Sequence, residues 1–209
     1  ISHTGYIKRN AVSLYRAQRR GGKGKIGMGI KDEDFVETLF TASTHDSLLF
    51  FTDAGKVFWL KVHEIPEASR GAKGKALVNL LALSKDEKVT ATMPVKEYRD
   101  DRFVVMATKQ GVIKKTAFLE YNTPLKADGI IALRMREDDE LIGVRLSDGD
   151  DDLLMVSRGG QAIRFHEKDV RAMGRATGRV QSIELDKGDV LIGMVIVRRE
   201  ATLLVGQQL

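Results

Sequence analysis

Two series of glycines recur in step along this 209-residue sequence and constrain its fold more than any other feature. The first series marks the turn between two apolar segments and consists of Gly5, Gly55, Gly111 and Gly160. The second marks a loop of small and charged residues and ends in Gly24, Gly74, Gly129 and Gly178. Successive copies are 49 to 56 residues apart, and 18 or 19 residues separate the two series in every copy. Two series that keep step through four copies indicate an internal repeat.

Each repeat has the pattern of short β-strands joined by turns. The apolar segments are rich in Val, Ile, Leu and Phe, and no helical period lasts for three turns. Repeats of about 50 residues with roughly four strands are typical of propeller blades, whereas a sandwich or barrel needs no such period. We therefore predict an all-β, propeller-like fold in which the first-series glycines adopt positive φ in hairpin turns. The predicted strands are 47–51, 57–62, 103–106, 141–146, 153–156 and 190–197, with short helical turns near 11–16 and 168–172.

The repeat pattern predicts a single domain that covers residues 1–209. Its blade-like repeats span approximately 1–45, 46–100, 101–150 and 151–200, and 201–209 is interpreted as the start of a fifth repeat. The first repeat lacks an opening strand. Because a closed ring needs its terminal strands to meet, we expect this chain to be an incomplete ring cut from a longer protein.

Positive charge is concentrated in the first repeat. The whole chain has 34 Lys and Arg against 29 Asp and Glu, a net charge of +5. Residues 1–31 hold eight of the basic residues and no acidic residue, so the remainder has a net charge of −3. An acidic partner is therefore expected to bind near the amino-terminal repeat.

Catalytic and metal chemistry have little support in the sequence. There is no cysteine, and the four histidines lie far apart without zinc-ligand spacing. The lack of cysteine fits a reducing cytoplasm. No apolar run approaches the length of a membrane-spanning helix. We expect neither a catalytic residue nor a metal ligand in this chain.

The most unusual segment is a loop in which cations alternate with small residues. Glycines allow the backbone to approach a phosphate group closely, while arginine forks and a mobile lysine suit its oxygens. The segment is predicted to bind the backbone of a polyanion. Its residues are Gln18, Arg19, Arg20, Gly21, Gly22, Lys23 and Gly24.

Further cations recur near the corresponding positions of the later repeats. In a radial array, equivalent positions lie at equivalent places on each blade, so these cations are predicted to form a band around the rim. A curved basic band would suit a bent polyanion. The additional predicted contacts are Lys8, Arg9, Lys25, Arg70, Lys73, Lys75, Lys114, Lys115, Lys126, Arg164, Arg171, Arg175 and Arg179.

The segment Gln18–Gly24 reads QRRGGKG and resembles the box motif of the C-terminal domains of bacterial DNA gyrase A subunits. The degenerate copies at 67–74 and 170–174 resemble the same family. The resemblance covers essentially the whole chain, and the intact box favours gyrase over the related topoisomerase IV protein, which generally lacks one. We refer to Gln18–Gly24 below as the box loop.

This resemblance implies a fold and a role. The fold would be a β-pinwheel, a propeller-like ring whose blades exchange strands, usually with six blades where this sequence shows about four. The role would be to wrap duplex DNA so that gyrase introduces negative supercoils by strand passage. ATP and Mg would be used by other parts of the enzyme and not by this domain. The partners of the domain would be the rest of gyrase A and gyrase B, which together form a heterotetramer. We expect the protein to be cytoplasmic and associated with the nucleoid, with no membrane contact.

A different class of function remains open at this point. Propellers also serve as protein-interaction modules, and the basic loop would then contact an acidic protein surface. Binding to duplex DNA distinguishes the two interpretations.

Overall fold

Short β-strands form nearly all of the regular structure. The protein is described by a computed structural model that covers residues 1–29, 33–124 and 126–198. The predicted start of a fifth repeat at 201–209 lies outside the described residues. The strands are β1 (Tyr6–Ile7), β2 (Ser47–Thr52), β3 (Lys56–Lys61), β4 (Lys75–Ala76), β5 (Val89–Val95), β6 (Phe103–Thr108), β7 (Val112–Ala117), β8 (Ile130–Ile131), β9 (Leu141–Ser147), β10 (Asp152–Ser157), β11 (Ala162–His166), β12 (Val180–Gln181) and β13 (Leu191–Val197).

The helical content of the described residues is limited to short 3-10 helices. None of them is long and apolar enough to cross a membrane. The all-β prediction is confirmed, and each predicted strand is found with ends shifted by at most two residues. The 3-10 helices are Val12–Leu14, Val62–Glu64, Leu77–Asn79, Phe118–Tyr121 and Glu167–Asp169.

Hairpins with glycine turns form the centre of the second, third and fourth repeats. The hairpins join β2 to β3, β6 to β7, and β10 to β11. The turn glycines Gly55, Gly111 and Gly160 have φ of 75°, 77° and 90°, as predicted, and Gly5 before β1 has 82°. An L-amino acid with a side chain is strained in this region, so glycine is the residue that permits these turns.

A third strand pairs with the first strand of each hairpin and so extends it to a three-stranded sheet. β5 pairs with β2, while β9 and β13 pair antiparallel with β6 and β10. The last two sheets share an irregularity near the turn, at Ala107–Thr108 in β6 and at Val156–Ser157 in β10. Such bulges increase the local twist of a strand.

Neighbouring repeats exchange short strands. β4, β8 and β12 belong to one repeat but pair with β1, β3 and β7 of the repeat before it. Ile7 lies opposite Lys75, and Val112 lies opposite Gln181. The strand exchange that the resemblance implied is therefore present. Among the described residues, the sheet of β11 contains three strands, in the order β11, β10, β13.

The chain contains two compact units, each with an apolar core. The first comprises Ile1–Phe50, Val57–Lys96 and Leu125–Ile130, and the second comprises Phe51–Lys56, Glu97–Pro124 and the chain from Ile131. A cluster of the first unit contains Ile7, Leu48, Phe50, Phe58, Leu60, Val62, Ile65, Leu77 and Leu81. A cluster of the second contains Val105, Ala107, Ile113, Leu153, Met155, Val170, Ile183, Leu191 and Met194.

Candidate nucleic-acid interface

A side chain closes the box loop on itself. The backbone N–H of Gly24 donates to Oε1 of Gln18 at 3.2 Å, and the N–H of Gly22 donates to the carbonyl of Arg19 at 3.0 Å. Gly21 and Gly24 have φ of 85° and 64°, which glycine adopts without strain. Gln18 therefore organises the loop, while the cations between its ends stay free to point outward.

Gly22 leaves room for the side chain of Gln18 to fold back over it. A Cβ added to Gly22 would lie 2.7 Å from Oε1 of Gln18. Any side chain at this position would displace the amide that receives the Gly24 hydrogen bond. The hydrogen bond between Gly24 and Gln18 therefore depends on the absence of a side chain at Gly22.

The cations of the box loop face solvent. Arg19, Arg20 and Lys23 of the loop and the adjacent Lys25 are exposed. None of them is within ion-pair distance of a carboxylate in the part of the chain that the structure describes. An open cleft of about 250 Å³ beside the loop is lined by Tyr15, Arg16, Gln18 and Lys25. Arginine and lysine groups without an internal counterion can bind the oxygens of an anionic ligand.

Lys8 is used to hold a second loop in place. Its Nζ donates to the backbone carbonyls of Ser69 and Ala72 at 2.9 Å and also to that of Arg70. Burial lowers the pKa of Lys8. These three carbonyls belong to the second copy of the loop, so the predicted contact Lys8 positions that copy.

Two other predicted contacts are paired with carboxylates. Arg9 lies 3.0 Å from Glu67 and also donates from Nε to a backbone carbonyl. Arg164 binds Asp152 through Nη2 at 2.7 Å and Nε at 2.9 Å. Each would have to share its guanidinium between the protein and a phosphate.

Lys114 and Lys115 are buried, which corrects their assignment to a basic surface band. They are 0% and 5% exposed, because both faces of β7 are covered. Nζ of Lys114 donates to the carbonyls of Arg175 and Thr177, whereas Nζ of Lys115 lies 3.0 Å from the buried carboxylate of Glu167. Their charges are directed at the protein, so direct phosphate contact is not supported for either.

The remaining predicted cations are partly or fully accessible. Nζ of Lys73 lies 3.6 Å from the centroid of the Tyr6 ring, a cation–π contact. Arg70, Arg175 and Arg179 are half-buried. The fully exposed ones are Lys75, Lys126 and Arg171.

Two arginines that the sequence pattern did not single out lie beside the fourth copy of the loop. Arg134 and Arg136 line an open cleft of about 520 Å³ together with the segment Ala176–Arg179. Nη1 of Arg179 donates to the carbonyl of Arg134. The Arg-x-Arg spacing shortly after Gly129 is the sequence signal for this pair of arginines. The four acidic residues at 137–140 cancel their charge in any count of net charge, so the signal was missed. We call this site the arginine cleft.

One group of carboxylates lies close enough together to be considered as a metal site. Ligand atoms of Asp148, Asp151 and Glu167 lie within 4.8 Å of one another. Burial, with the charges of Asp148 and Glu167, raises the pKa of Asp151. Glu167, however, already accepts from the Ser147 hydroxyl and the Asp151 N–H and is paired with Lys115. The lysine ammonium thus supplies positive charge to this cluster.

Comparisons with known proteins agree with this architecture. Residues 1–43, 46–96, 102–148 and 151–198 match the family model described as DNA gyrase C-terminal domain, beta-propeller. The A subunit of DNA gyrase from Salmonella typhimurium is 47% identical over 204 residues, which are 98% of this chain and 23% of that protein. The same protein from Escherichia coli is 44% identical over 208 residues, 100% of this chain and 24% of that protein. The chain spans about a quarter of the length of these relatives.

Solved structures show that two related proteins share the fold. The C-terminal domain of a DNA topoisomerase IV has a TM-score of 0.82 at 25% identity, covering 94% of this chain and 59% of that one. A DNA gyrase A C-terminal domain has a TM-score of 0.70 at 23% identity, covering 94% and 63%. Together with the four matched segments and the gyrase relatives, the strand-exchanged sheets and the box loop establish that this chain belongs to the beta-propeller family of DNA gyrase C-terminal domains.

Proposed function

We propose that this domain binds duplex DNA and bends or wraps it, so that gyrase introduces negative supercoils by ATP-dependent strand passage. The supporting observation is the box loop, in which Arg19, Arg20 and Lys23 are exposed and bind no carboxylate among the described residues. In this proposal the domain has no catalytic centre. ATP, Mg and DNA cleavage belong to the rest of gyrase A and to gyrase B, in the bacterial cytoplasm.

Phosphate contacts are the kind of contact that wrapping needs. They supply affinity and fix the path of the duplex without reading its sequence. Bending 20–30 base pairs through 40–90° costs on the order of 1–6 kcal/mol. Release of counterions from roughly six to ten phosphates can offset that cost at moderate salt. A domain that presents many cations and one well-formed loop can therefore bend DNA of any sequence.

The test is the topology of DNA closed in the presence of the domain. Nicked circles are ligated with the 209-residue chain bound, and the linking number is read after the protein is removed. We expect the wild-type chain to shift the linking number in a single direction. Replacement of three cations, Arg19→Gln, Arg20→Gln and Lys23→Gln, should abolish the shift while thermal unfolding stays unchanged, since all three side chains are exposed.

A charge-matched variant separates the box loop from net charge. Arg99→Gln, Lys109→Gln and Lys168→Gln together remove three cations that are already paired with carboxylates, of which Lys109 is half-buried. This control should keep the shift. An equal loss in both variants would remove the special role of the box loop. Tighter binding to polyglutamate than to duplex DNA would instead favour an interaction module for an acidic protein.

A further inference from the structure

The loops of the second and fourth repeats are each held by a lysine of the repeat before. Lys8 comes three residues after the first-series glycine Gly5, and Lys114 comes three residues after Gly111. Both side chains extend to the loop of the following repeat and donate from Nζ to its backbone carbonyls. Because the same position makes the same contact twice, the contact is a property of the repeat.

The carbonyls that accept these bonds occupy equivalent places in the two loops. Residues 69–72 form a turn that a backbone hydrogen bond of 3.1 Å closes, and Lys8 binds the carbonyls of its first, second and fourth residues. Residues 174–177 form the same turn, closed at 3.0 Å, and Lys114 binds the carbonyls of its second and fourth residues. An ammonium that binds several carbonyls of one turn fixes the orientation of the peptide planes.

The direction of these carbonyls determines which backbone groups the loop presents on its other side. In a trans peptide the C=O and N–H groups point in opposite directions. Since the carbonyls of Arg175 and Thr177 point at Nζ of Lys114, the N–H groups of Ala176 and Gly178 point away from it. The ammonium thus turns acceptors inward and donors outward, an arrangement that suits an anionic ligand.

The third copy of the loop provides an internal comparison. The residue three positions after Gly55 is Phe58, which is 2% exposed. A Cβ added to Gly129, the last residue of the third turn, would lie 3.0 Å from Cε1 of Phe58. An aromatic ring therefore packs beneath this turn where the other two have an ammonium.

The charge of the loops follows the same division. Loops 69–74 and 173–178 contain basic residues and no acidic residue, whereas 124–129 contains one of each. The lysines thus lie beneath the positively charged loops, where charge repulsion opposes them. Burial, followed by the charge of Arg175, lowers the pKa of Lys114 to about 8, which reflects this cost. A costly local arrangement that recurs at equivalent positions indicates a functional role.

We propose that Lys8 and Lys114 are positioning residues for DNA binding, which hold the loops of the second and fourth repeats in the conformation that meets the duplex. Neither lysine contacts the ligand itself. This inference rests on the proposed function and adds to it a device by which one repeat orders the loop of the next. The third loop, with Phe58 beneath it, does not depend on an ammonium.

Chemical replacement of one ammonium tests the role of Lys8. The chain contains no cysteine, so Lys8→Cys introduces a single thiol. Alkylation with 2-bromoethylamine restores an ammonium at the length of lysine, whereas alkylation with 1-bromopropane gives a neutral side chain of the same length. Lys85→Cys, alkylated in the same two ways, is the control for net charge, because Lys85 is an exposed residue of the same compact unit.

Cleavage after Arg70 by an arginine-specific protease measures the order of the second loop without DNA. With the neutral adduct at position 8 we expect cleavage at least about tenfold faster than with the ammonium adduct, because the turn loses hydrogen bonds from a charged donor. Both adducts at position 85 should be cleaved at the wild-type rate, and thermal unfolding checks that all four chains fold. Equal cleavage of the two adducts at position 8 would overturn the inference.

Duplex affinity then connects the order of the loop to the ligand. The two adducts at position 8 differ by one charge, as do those at position 85, so the control pair gives the effect of charge alone. We expect a larger ratio of affinities for the pair at position 8. Equal ratios would mean that Lys8 contributes only its charge, and the inference would be wrong while the proposed function stands.

The fourth loop allows the same test, and the topology of closed circles separates the two proposals. Lys114→Cys with the same two adducts should change cleavage after Arg175 as Lys8→Cys changes cleavage after Arg70. If both measurements respond at position 8 but the wild-type chain does not change the linking number, the lysines position loops for DNA binding and wrapping is wrong.

Discussion

The fourth residue after a hairpin glycine is a cation in three of the four repeats, namely Arg9, Lys115 and Arg164. For the first two, burial determines what the charge does. After Gly5 this residue is Arg9, whose ion pair with Glu67 has side chains that are 31% and 59% exposed. After Gly111 it is Lys115, whose pair with Glu167 is 6% and 0% exposed. Water competes for the first pair, whereas the second must be satisfied entirely by the protein.

We expect Lys115→Met to lower the free energy of unfolding by about 3–5 kcal/mol, because it leaves the Glu167 carboxylate buried without a counterion. Arg9→Met is the matched control and should lower it by no more than about 1 kcal/mol. Urea unfolding followed by circular dichroism measures both. Similar losses in the two variants would show that the buried pair contributes nothing beyond an exposed one.

At the scale of the element, the hairpin turn is also the docking site of the next repeat. The carbonyl of Gly111 accepts from the N–H of Ser182 at 3.0 Å and from its hydroxyl at 2.6 Å. A Cβ on Gly111 would lie 2.8 Å from Cγ2 of Ile183. Gly160 has a similar positive φ, but nothing lies within 4 Å of a Cβ placed there.

The two glycines therefore predict different costs for one substitution. Gly160→Ala should lower the free energy of unfolding by about 1–2 kcal/mol, the cost of a left-handed backbone at alanine. Gly111→Ala should lower it by about 1–3 kcal/mol more, because the added methyl overpacks against the incoming segment. Chemical denaturation of both variants provides the comparison. Equal losses would mean that the incoming segment moves aside without cost.

Sequence patterns predicted most of the long strands but neither β5 nor the exchanged strands. Apolar runs such as 103–106 show a buried strand directly. β4 and β12 contain two residues each and owe their strand character to a partner in another repeat, so no local pattern marks them. The candidate site likewise has a part that local sequence predicts and a part that depends on distant residues. Glycine and charge marked the box loop, whereas the burial of Lys114 depends on carbonyls at 175 and 177, more than 60 residues away.

At the scale of the whole molecule, net charge conceals the cations that matter. Residues 1–31 contain eight cations and no acid, and the rest of the chain is net negative. The arginine cleft nevertheless belongs to that net negative part. Salt dependence is sensitive to the number of phosphates neutralised, and a protein can make many such contacts at a net charge of only +5.

Under the proposed function, the box loop and the arginine cleft should make additive contributions to the slope of log affinity for duplex DNA against log salt. Removal of three cations from the box loop should lower the slope by about 2.7, removal of Arg134 and Arg136 by about 1.8, and both together by about 4.5. The two sets of substitutions share no residue, and the effects of independent sites add. Duplex binding over a series of potassium chloride concentrations measures all three. A combined slope no lower than that of the box-loop variant would indicate that phosphates bind the two sites alternately.

Strand exchange has a consequence for synthesis of the chain. Val112 meets its partner Gln181 only after 69 further residues have left the ribosome, so the outer edge of β7 stays open while they are made. An open strand edge invites pairing with another nascent chain. Lys114 and Lys115 lie on that edge, and charged side chains are effective at preventing such pairing. We therefore expect these lysines, which are buried in the native domain, to protect the nascent chain from aggregation until the next repeat covers them.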